Sequence, residues 1–430
     1  MSDIKLTHMQ NIALLTMKSG KNVFLTGPGG SGKSFLLKYF IDWYNESSEQ
    51  KQDIQRIYVT STTGLSSILI NGMTIHRFSG IGTGEKDVET LYKKIIKMKN
   101  LKNRWQNTEI LIIDEISMLE ADIFDKLDIL ARKIRKVDEP FGGIQLILSG
   151  DFLQLPPIKS DNFCFEAFTW DEVIHETFYF DKIIRQNDEK LQLILNNIRL
   201  GVVNEDVKKL LDSRLNINLD TKDGIVPTLL FSKKNMVIMH NEQELNKLIN
   251  TGCENYTYNS YYEFGKNITE ESKQFYKELI NSQYSVDDNL KFVLNSQVML
   301  TVNMPEHELA NGSRGIITSF NLGIPIVRFL NGVTLEIKQH EFVIDEGGYI
   351  VKKCQTPLIL AWAITIHKAQ GMSLELVKTD IGNSIFEYGQ AYVVLSRIKT
   401  IEGLSLINID YSKIKAHPKI LKYYTKLIKR

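Results

Sequence analysis

Residues 22–44 read NVFLTGPGGSGKSFLLKYFIDWY, and their pattern indicates the class of fold. A short apolar run is followed by a glycine-rich turn and then by apolar residues at helical spacing, which predicts a strand, a loop and a helix. The strand-like segment RIYVTST, residues 56–62, follows after a polar linker. Two strands joined by a helix indicate the start of a parallel α/β sheet.

Two further apolar runs extend the same pattern. Residues 109–115 read EILIIDE and residues 143–151 read GIQLILSGD. Near-continuous apolar runs that end in acidic residues are expected of buried parallel strands whose carboxyl ends face a ligand. Apolar residues recur at helical spacing from Ile123 to Val137 and predict a helix between these two strands. The alternation predicts a doubly wound α/β domain over residues 1–185.

A second alternating region predicts another α/β domain, formed by residues 186–250 and 355–430. It begins with TLLFSKKNMVIMHNEQELNKLI, resumes at PLILAWAITIHKAQG and continues through QAYVVLSRI. The stretch between them, residues 251–354, is rich in Tyr, Asn and Gly and holds short β-like runs such as QVMLTV and RGIITSF. We therefore expect a small β-domain inserted in the second α/β domain.

Composition excludes several classes of protein. Lys and Arg total 52 against 51 Asp and Glu, so the net charge of +1 provides no overall basic field, and any nucleic-acid path must be a local strip. The three cysteines lie far apart, which argues against a disulfide framework and a zinc site. We expect no signal peptide and no membrane span, because no long apolar run occurs. The lysine-rich tail from Tyr411 is interpreted as a solvated helix face rather than a DNA or partner contact.

The turn GPGGSGKS, residues 27–34, fits the P-loop pattern. Its glycines let backbone N–H groups point at an anion, and the following helix N-terminus adds partial positive charge. Lys33 is predicted to reach the β- and γ-phosphates of a nucleotide, and Ser34 to supply one oxygen to Mg²⁺. A glycine-rich turn that binds no nucleotide is the alternative. The nucleotide-binding residues predicted in this turn are Gly27, Pro28, Gly29, Gly30, Ser31, Gly32, Lys33 and Ser34.

Other polar residues lie where the chemistry of nucleotide hydrolysis needs them. Asp114 and Glu115 end an apolar strand, which predicts that Asp114 holds Mg²⁺ and that Glu115 orients and deprotonates the attacking water. Gln154, in GDFLQLPP, is placed to touch a γ-phosphate, although a buried structural glutamine would look the same. Arg185 and Arg397 are candidates to neutralise transition-state charge, and surface arginines are the alternative.

These motifs occur together in an order that resembles superfamily 1B DNA helicases, and the match is closest to the Pif-type members, relatives of RecD and Dda. The blocks that carry the resemblance are GPGGSGKS, TSTTGLSSILINGMTIHRFSGIG, LIIDEISMLEADIFDKLDILARKIRK, PFGGIQLILSGDFLQLPP, IIRQ, AITIHKAQGMSLE and AYVVLSR. The resemblance covers the chain from Gln10 to Arg397. It implies two RecA-like P-loop NTPase domains, with parallel sheets flanked by helices and ATP in the cleft between them. Small inserted domains are implied too, namely a short wedge at about residues 80–105 and an SH3-like β-domain at residues 251–354.

The resemblance also implies roles for single residues. Gln10 corresponds to an adenine-recognising glutamine, and Gly371 to a further ATP-site residue. Lys33, Ser34, Asp114, Glu115, Gln154, Arg185 and Arg397 correspond to the family's ATP-site residues, with Ser34 and Asp114 as ligands of Mg²⁺. The residues implied in DNA contacts are Thr63, Gly64, His76, Phe78, Ser79, His367 and Lys368.

What the resemblance implies is an ATP-dependent, Mg²⁺-dependent helicase that moves 5′→3′ on single-stranded DNA and unwinds duplex or forked DNA in replication, repair or recombination. The natural target stays open among a fork, a G-quadruplex and an RNA–DNA hybrid. An RNA helicase or translocase and an ATP-gated DNA-binding module are the alternatives. We expect a monomer in a cytoplasmic or nucleoid setting, with a nuclear or virus-encoded origin left open.

Overall fold

The structure is a computed structural model that describes residues 6–47, 56–158, 160–186, 188–221, 224–284, 286–345 and 349–428. The chain forms two compact units. The first unit is Met1–Val203, Glu387–Val393 and Ile414–Arg430, and the second is Asn204–Phe386 and Val394–Lys413. None of the helices in these described ranges combines the length and the hydropathy of a membrane span.

The first unit is built on a parallel sheet. Its strands are β1 (Val23–Thr26), β2 (Ile57–Ser61), β3 (Met73–Thr74), β4 (Ile110–Asp114), β5 (Gln145–Gly150) and β6 (Glu176–Tyr179). Its helices before residue 203 are α1 (His8–Lys18), α2 (Lys33–Ser47), α3 (Gly64–Leu69), α4 (Ile75–Ser79), α5 (Val88–Lys97), α6 (Lys99–Asn107), α7 (Ala121–Arg135), α8 (Trp170–Val173) and α9 (Glu189–Arg199). The strands follow the order β3-β2-β4-β5-β1-β6, and each neighbouring pair is parallel.

Both faces of this sheet are covered. Successive side chains of a strand point to opposite faces, and in β1 they pack in two different cores. Phe24 of β1 packs in a core with Phe152 and Trp170. Its neighbours Val23 and Leu25 pack in a second core with residues of α1 and α2. This arrangement confirms the α/β fold with a parallel sheet flanked by helices that the apolar runs predict.

The helix predicted between β4 and β5 is α7. Its residues Ile123, Phe124, Leu127, Leu130, Ala131 and Ile134 are buried, as the helical spacing requires. Val137 is more exposed, because the helix ends at Arg135 and Lys136 takes a left-handed φ of 58°. The segment expected to form a wedge folds into α5 and α6, which bury Leu91, Ile95, Leu101 and Trp105 against the first core.

The second unit combines a parallel sheet with antiparallel sheets. Its strands are β7 (Thr228–Phe231), β8 (Asn255–Asn259), β9 (Tyr261–Phe264), β10 (Asn289–Val293), β11 (Gln297–Leu300), β12 (Arg314–Asn321), β13 (Ile324–Phe329), β14 (Thr334–Glu336), β15 (His340–Asp345), β16 (Ile350–Gln355), β17 (Leu358–Leu360), β18 (Ala363–Thr365), β19 (Val377–Ile381) and β20 (Leu404–Ile409). The helices are α10 (Glu205–Asp212), α11 (Lys234–Asn250), α12 (Glu270–Tyr284) and α13 (Ile366–Ala369). The parallel sheet has the order β18-β7-β19-β20.

The β-rich stretch of the second unit extends past the boundary expected from the sequence. Its largest antiparallel sheet has the order β14-β13-β12-β11-β17. The last of these strands lies beyond residue 354, and Leu360 pairs with Val298 across β11 and β17. The edge strand of this sheet, β17, therefore comes from the segment that the sequence assigns to the α/β domain. The physical reason is that β17 supplies hydrogen-bond partners for the backbone of β11.

The last two helices are α14 (Gln390–Leu395) and α15 (Pro418–Ile428). From the sequence we expect residues 186–203, 387–393 and 414–430 in the second α/β domain, but their contacts place them in the first unit. Ile420 and Tyr424 of α15 lie in the core beside Phe24 and Phe152, and Arg199 of α9 forms a buried ion pair with Asp151. Burial of these side chains is the physical reason for the difference.

Candidate functional site

The glycine-rich loop links the end of β1 to the start of α2, which begins at Lys33. Gly27 has a φ of +138°, and a Cβ atom there would lie 2.1 Å from the Phe180 carbonyl oxygen. A Cβ atom on Gly30 would lie 2.6 Å from the Cβ of Arg185. Only glycine fits at both positions. The loop therefore brings backbone N–H groups and the start of a helix to the carboxyl edge of the parallel sheet.

Lys33 is held inside this loop. Its Nζ donates hydrogen bonds to the carbonyl oxygens of Gly27 at 2.7 Å and Pro28 at 2.9 Å. The side chain keeps some solvent exposure, but desolvation of the ammonium lowers its pKa, against the opposing effect of the Asp151 and Glu115 carboxylates. The ammonium is thus a point charge at the loop, suited to an anionic ligand.

Ser34 and Asp114 come together across the sheet edge. The Ser34 Oγ donates a hydrogen bond to Asp114 Oδ2 at 3.2 Å. The other carboxylate oxygen accepts from the Glu115 amide at 2.9 Å. A hydroxyl and a carboxylate are hard oxygen ligands that fit Mg²⁺, which takes few protein ligands when phosphates supply the others. No group of three or more His, Cys, Asp or Glu suited to a metal occurs in the described part of the chain.

Glu115 directly follows β4 in a strained conformation. Its φ is 53° and its ψ is 42°, in the left-handed region that non-glycine residues seldom occupy. The turn aims the next residues away from the strand, and the charge of Glu115 acts on both Lys33 and Arg185. Backbone strain of this kind concentrates at functional sites.

Arg185 and Gln10 both lie against the loop. The amides of Ile184 and Arg185 donate to the Gly30 carbonyl oxygen at 2.8 and 3.2 Å. Burial lowers the pKa of the Arg185 guanidinium below its ordinary value. Gln10 is buried, and its Nε2 donates to the Ser31 carbonyl oxygen at 3.3 Å. The structure thus brings Gln10, Lys33, Ser34, Asp114, Glu115 and Arg185 to one edge of the sheet.

Gln154 contacts Asp151, the residue that directly follows β5. Its Nε2 lies 3.5 Å from Asp151 Oδ2. Arg199 pairs with both Asp151 oxygens, from Nε at 2.9 Å and from Nη2 at 2.8 Å. Burial alone would raise the pKa of Asp151, but Arg199 outweighs it and holds the pKa below its ordinary value. Asp151 is therefore a carboxylate beside the candidate phosphate site.

Four residues predicted to contact ATP or DNA lie in the second unit. Arg397 is buried, and its Nη2 donates to Ser396 Oγ at 2.7 Å. Gly371 is exposed with a φ of +81°. His367 and Lys368 lie on α13, which Thr365 caps through the Lys368 amide at 3.1 Å. Burial lowers the pKa of Lys368.

The first unit separates the candidate DNA residues into two groups. Thr63 caps α3, because its Oγ1 accepts from the Ser66 amide at 3.2 Å, and it remains partly exposed together with Gly64 and His76. Burial lowers the pKa of the His76 imidazole.

Phe78 and Ser79 form the buried group, which differs from the prediction that both side chains contact DNA. The Phe78 ring is 0% exposed and packs between Tyr58 and Trp105, with both ring centroids at 5.1 Å. The Ser79 Oγ donates to the Ile75 carbonyl oxygen at 2.7 Å. Neither side chain offers a face to a base, because α4 turns both into the core.

The sequence does not predict a role for four residues at or beside the loop, namely Asp151, Arg199, Tyr392, which accepts from the Gly29 amide, and Tyr424, which contacts Thr26. Asp151 lies in the GDFLQLPP block, three residues before Gln154. The spacing of Ile420 and Tyr424, four residues apart, is the signal that the lysine-rich tail has an apolar face. No local pattern indicates that Arg199 pairs with Asp151.

Comparison with known proteins adds independent evidence. The family model described as PIF1-like helicase matches residues 5–208. The protein named ATP-dependent DNA helicase PIF1 from Xenopus laevis is 39% identical over 99% of this chain, and the chain spans 65% of its length. The crystal structure of Pif1 helicase from Candida albicans is 34% identical, with a TM-score of 0.81 over 99% of this chain and 100% of that one. The structure of Bacteroides sp Pif1 in complex with ADP-AlF4 is 27% identical, with a TM-score of 0.77 over 99% and 98%.

Proposed function

Because this chain belongs to the PIF1-like helicase family, we propose that it is an ATP-driven motor that moves along single-stranded DNA and separates duplexes. The main support for this proposal is the geometry of the P-loop. Lys33 is held inside the loop, and the Ser34 Oγ lies 3.2 Å from Asp114 Oδ2. The relative from Xenopus laevis is named a DNA helicase, and the structure from Bacteroides sp holds ADP-AlF4. Both support ATP as the nucleotide that is hydrolysed, and the name of the relative supports DNA as the polymer that is bound.

The proposed hydrolysis step uses residues of the first unit. The loop amides and Lys33 hold the phosphates of ATP, and Gln10 beside the loop recognises the adenine. Glu115 accepts a proton from the attacking water as the water oxygen bonds to the γ-phosphorus and the bond to the ADP oxygen breaks. Arg185 neutralises charge that develops on the phosphoryl oxygens. Gln154 responds to the γ-phosphate from the loop that follows β5.

Ser34 and Asp114 are the residues that would hold Mg²⁺. The ion would neutralise phosphate charge, which is its usual contribution to phosphoryl transfer. We also assign Arg397 and Gly371 to the ATP site on the strength of the blocks AYVVLSR and AITIHKAQGMSLE alone.

DNA binding in this proposal uses the partly exposed candidates. Thr63, Gly64 and His76 belong to the first unit, and His367 and Lys368 to the second. Hydroxyls, amides and a lysine hold phosphates without reading sequence, as a motor on arbitrary DNA requires. Phe78 and Ser79 are left out, because both side chains are buried.

The proposed direction is 5′→3′, with single-stranded DNA and duplex or forked DNA as partners. A G-quadruplex or RNA–DNA hybrid target, a monomeric state and a cytoplasmic or nucleoid setting stay predictions.

The deciding experiment measures ATP hydrolysis and unwinding together. Lys33→Ala should abolish hydrolysis stimulated by single-stranded DNA and the unwinding of 5′-tailed duplexes, and Lys38→Ala, an exposed change on the same helix, should leave both intact. Duplexes with 3′ tails test the direction. Near-normal turnover of Lys33→Ala would overturn the proposal.

Two alternative functions predict different results in the same assays. An RNA helicase would be stimulated more by RNA than by DNA of the same sequence, because contacts to the 2′-OH distinguish the polymers. An ATP-gated binding module would bind DNA with no steady turnover.

A further inference from the structure

A buried polar cluster links the C-terminal helix α15 to the end of the P-loop strand. Its centre is the hydroxyl of Tyr424, which lies 2.6 Å from Thr26 Oγ1 and 3.2 Å from Asp151 Oδ1. The same oxygen accepts a hydrogen bond from the Phe152 amide at 3.2 Å. All these residues belong to the first unit, and none has a catalytic role in the proposal above.

The direction of each hydrogen bond follows from the chemistry of the partners. Asp151 is ionised by its pairing with Arg199 and can only accept, so Tyr424 must donate its one proton to it. Both lone pairs of the Tyr424 oxygen then accept, one from Phe152 and the other from Thr26. The hydroxyl is thereby fully used, and its orientation is determined by three partners.

Asp151 is the member of the cluster that contacts a predicted ATP-site residue, Gln154. Its side chain is 0% exposed. Its Oδ1 also accepts from the Leu153 amide at 3.1 Å, and its Oδ2 lies 3.5 Å from Gln154 Nε2. Its charge acts on Lys33. The orientation of this carboxylate therefore sets both the loop that carries Gln154 and the field at the P-loop lysine.

A buried ion pair is costly unless its remaining polar positions are satisfied. The Arg199 guanidinium binds both Asp151 oxygens and also lies over the Tyr424 ring, with 5.1 Å to the centroid. Arg199 Nη1 donates to the Tyr179 hydroxyl at 3.1 Å. Tyr424 thus contacts both members of the pair, one through its hydroxyl and one through its ring.

We propose that Tyr424 is a positioning residue for ATP hydrolysis, because its hydroxyl fixes Asp151 and thereby the placement of Gln154 and the charge environment of Lys33. This inference rests on the proposed function. It also gives α15 a part in turnover that goes beyond covering the core.

The hydroxyl can be tested without removing the helix, because apolar contacts hold α15 independently. Tyr423 stacks on Phe165 with ring centroids 4.3 Å apart, and Ile420 is buried in the same core. The ring of Tyr424 is retained in Tyr424→Phe. The matched control is Tyr423→Phe, which removes a neighbouring hydroxyl from the same helix.

The experiment measures kcat and KM for ATP with saturating single-stranded DNA, at a temperature where thermal melts show every variant folded. Loss of one charge-assisted hydrogen bond predicts a kcat about tenfold lower in Tyr424→Phe, with KM changed by less than about threefold. Tyr423→Phe should keep both constants. A purely structural role would change the melting temperature and leave kcat per folded molecule unaltered, which would overturn the inference.

A second variant covers the case in which Tyr424→Phe does not fold. Thr26→Val removes the hydroxyl that donates to Tyr424 and keeps the side-chain shape, so it should lower kcat in the same sense. Where both single variants fold, the double variant should be no slower than Tyr424→Phe, because both act on one contact. An unchanged kcat in Thr26→Val, or fully additive losses, would contradict the inference. A wild-type chain with no DNA-stimulated hydrolysis would instead refute the proposed function.

Discussion

The phenol oxygen of Tyr392 accepts a hydrogen bond from the Gly29 amide, and the two atoms are 2.9 Å apart. Gly29 lies inside the P-loop, where amides are expected to face phosphate oxygens. Tyr392 is buried and belongs to the AYVVLSR block. Its hydroxyl therefore occupies a donor that a bound nucleotide would use.

The first prediction concerns this contact. Tyr392→Phe should tighten nucleotide binding by roughly 2- to 10-fold, because a hydrogen bond worth about 0.5–1.5 kcal/mol no longer competes for the Gly29 amide. Titration with ADP by calorimetry measures the change. Tyr388→Phe, on the same segment, is the control and should bind ADP as the wild type does. Weaker binding by Tyr392→Phe would show that the phenol does not compete with the ligand.

A second prediction tests the oxygen pair at the sheet edge. Ser34→Ala removes the hydroxyl that lies 3.2 Å from Asp114 Oδ2. Loss of even an outer-shell partner lowers metal affinity by about 10- to 100-fold, so the Mg²⁺ concentration for half-maximal ATP hydrolysis should rise at least about tenfold. A Mg²⁺ titration at fixed ATP measures it, with the exposed Ser213→Ala as control. An unchanged Mg²⁺ requirement would remove Ser34 from the metal site.

The buried ion pair leads to a third prediction. Arg199→Met leaves the Asp151 carboxylate without its main partner and should cost about 3–5 kcal/mol of unfolding free energy near neutral pH. Lys21→Met, which breaks an exposed pair with Glu176, should cost less than about 1 kcal/mol. Urea unfolding of both variants provides the comparison. Equal losses would mean that the Asp151–Arg199 pair contributes no more than a surface pair.

The contribution of the Asp151–Arg199 pair to the unfolding free energy depends on pH. In the wild type the folded pKa of Asp151 lies below its ordinary value of 3.8, so the stability it contributes is present above about pH 3.8 and is lost as the pH falls through the folded pKa. In Arg199→Met, burial should instead raise the pKa of Asp151. The difference in unfolding free energy between the two proteins should then shrink as the pH is lowered toward about 4. A difference that is constant or grows would contradict this assignment.

A fourth prediction separates the two groups of DNA candidates. Phe78→Ala should destabilise the fold by about 3–5 kcal/mol, because the ring is fully enclosed between Tyr58 and Trp105. His76→Ala should cost less stability and should weaken binding of single-stranded DNA. Urea unfolding and fluorescence anisotropy with a labelled oligonucleotide measure the two effects. Phe78→Ala with wild-type stability and weaker DNA binding would restore the ring to the DNA path.

The P-loop is the part of the candidate site whose geometry could be predicted from the sequence in detail. Its chemistry is local, since the residues from Gly27 to Ser34 supply the amides, the lysine and the hydroxyl within a single turn and helix start. Asp114 is distant in sequence but still predictable, because parallel strands end at the same edge of a sheet.

The strands and helices, the P-loop and the acidic strand end could be predicted from residue patterns, because each depends on neighbouring residues or on a regular repeat. Long-range packing selects the surface that each apolar stripe contacts. Amphipathic spacing can show that α15 has an apolar face, but only packing places Tyr424 on Thr26, a residue 398 positions away. Likewise, the pattern around Phe78 is compatible with an exposed ring, and it is the core formed by Tyr58 and Trp105 that buries it.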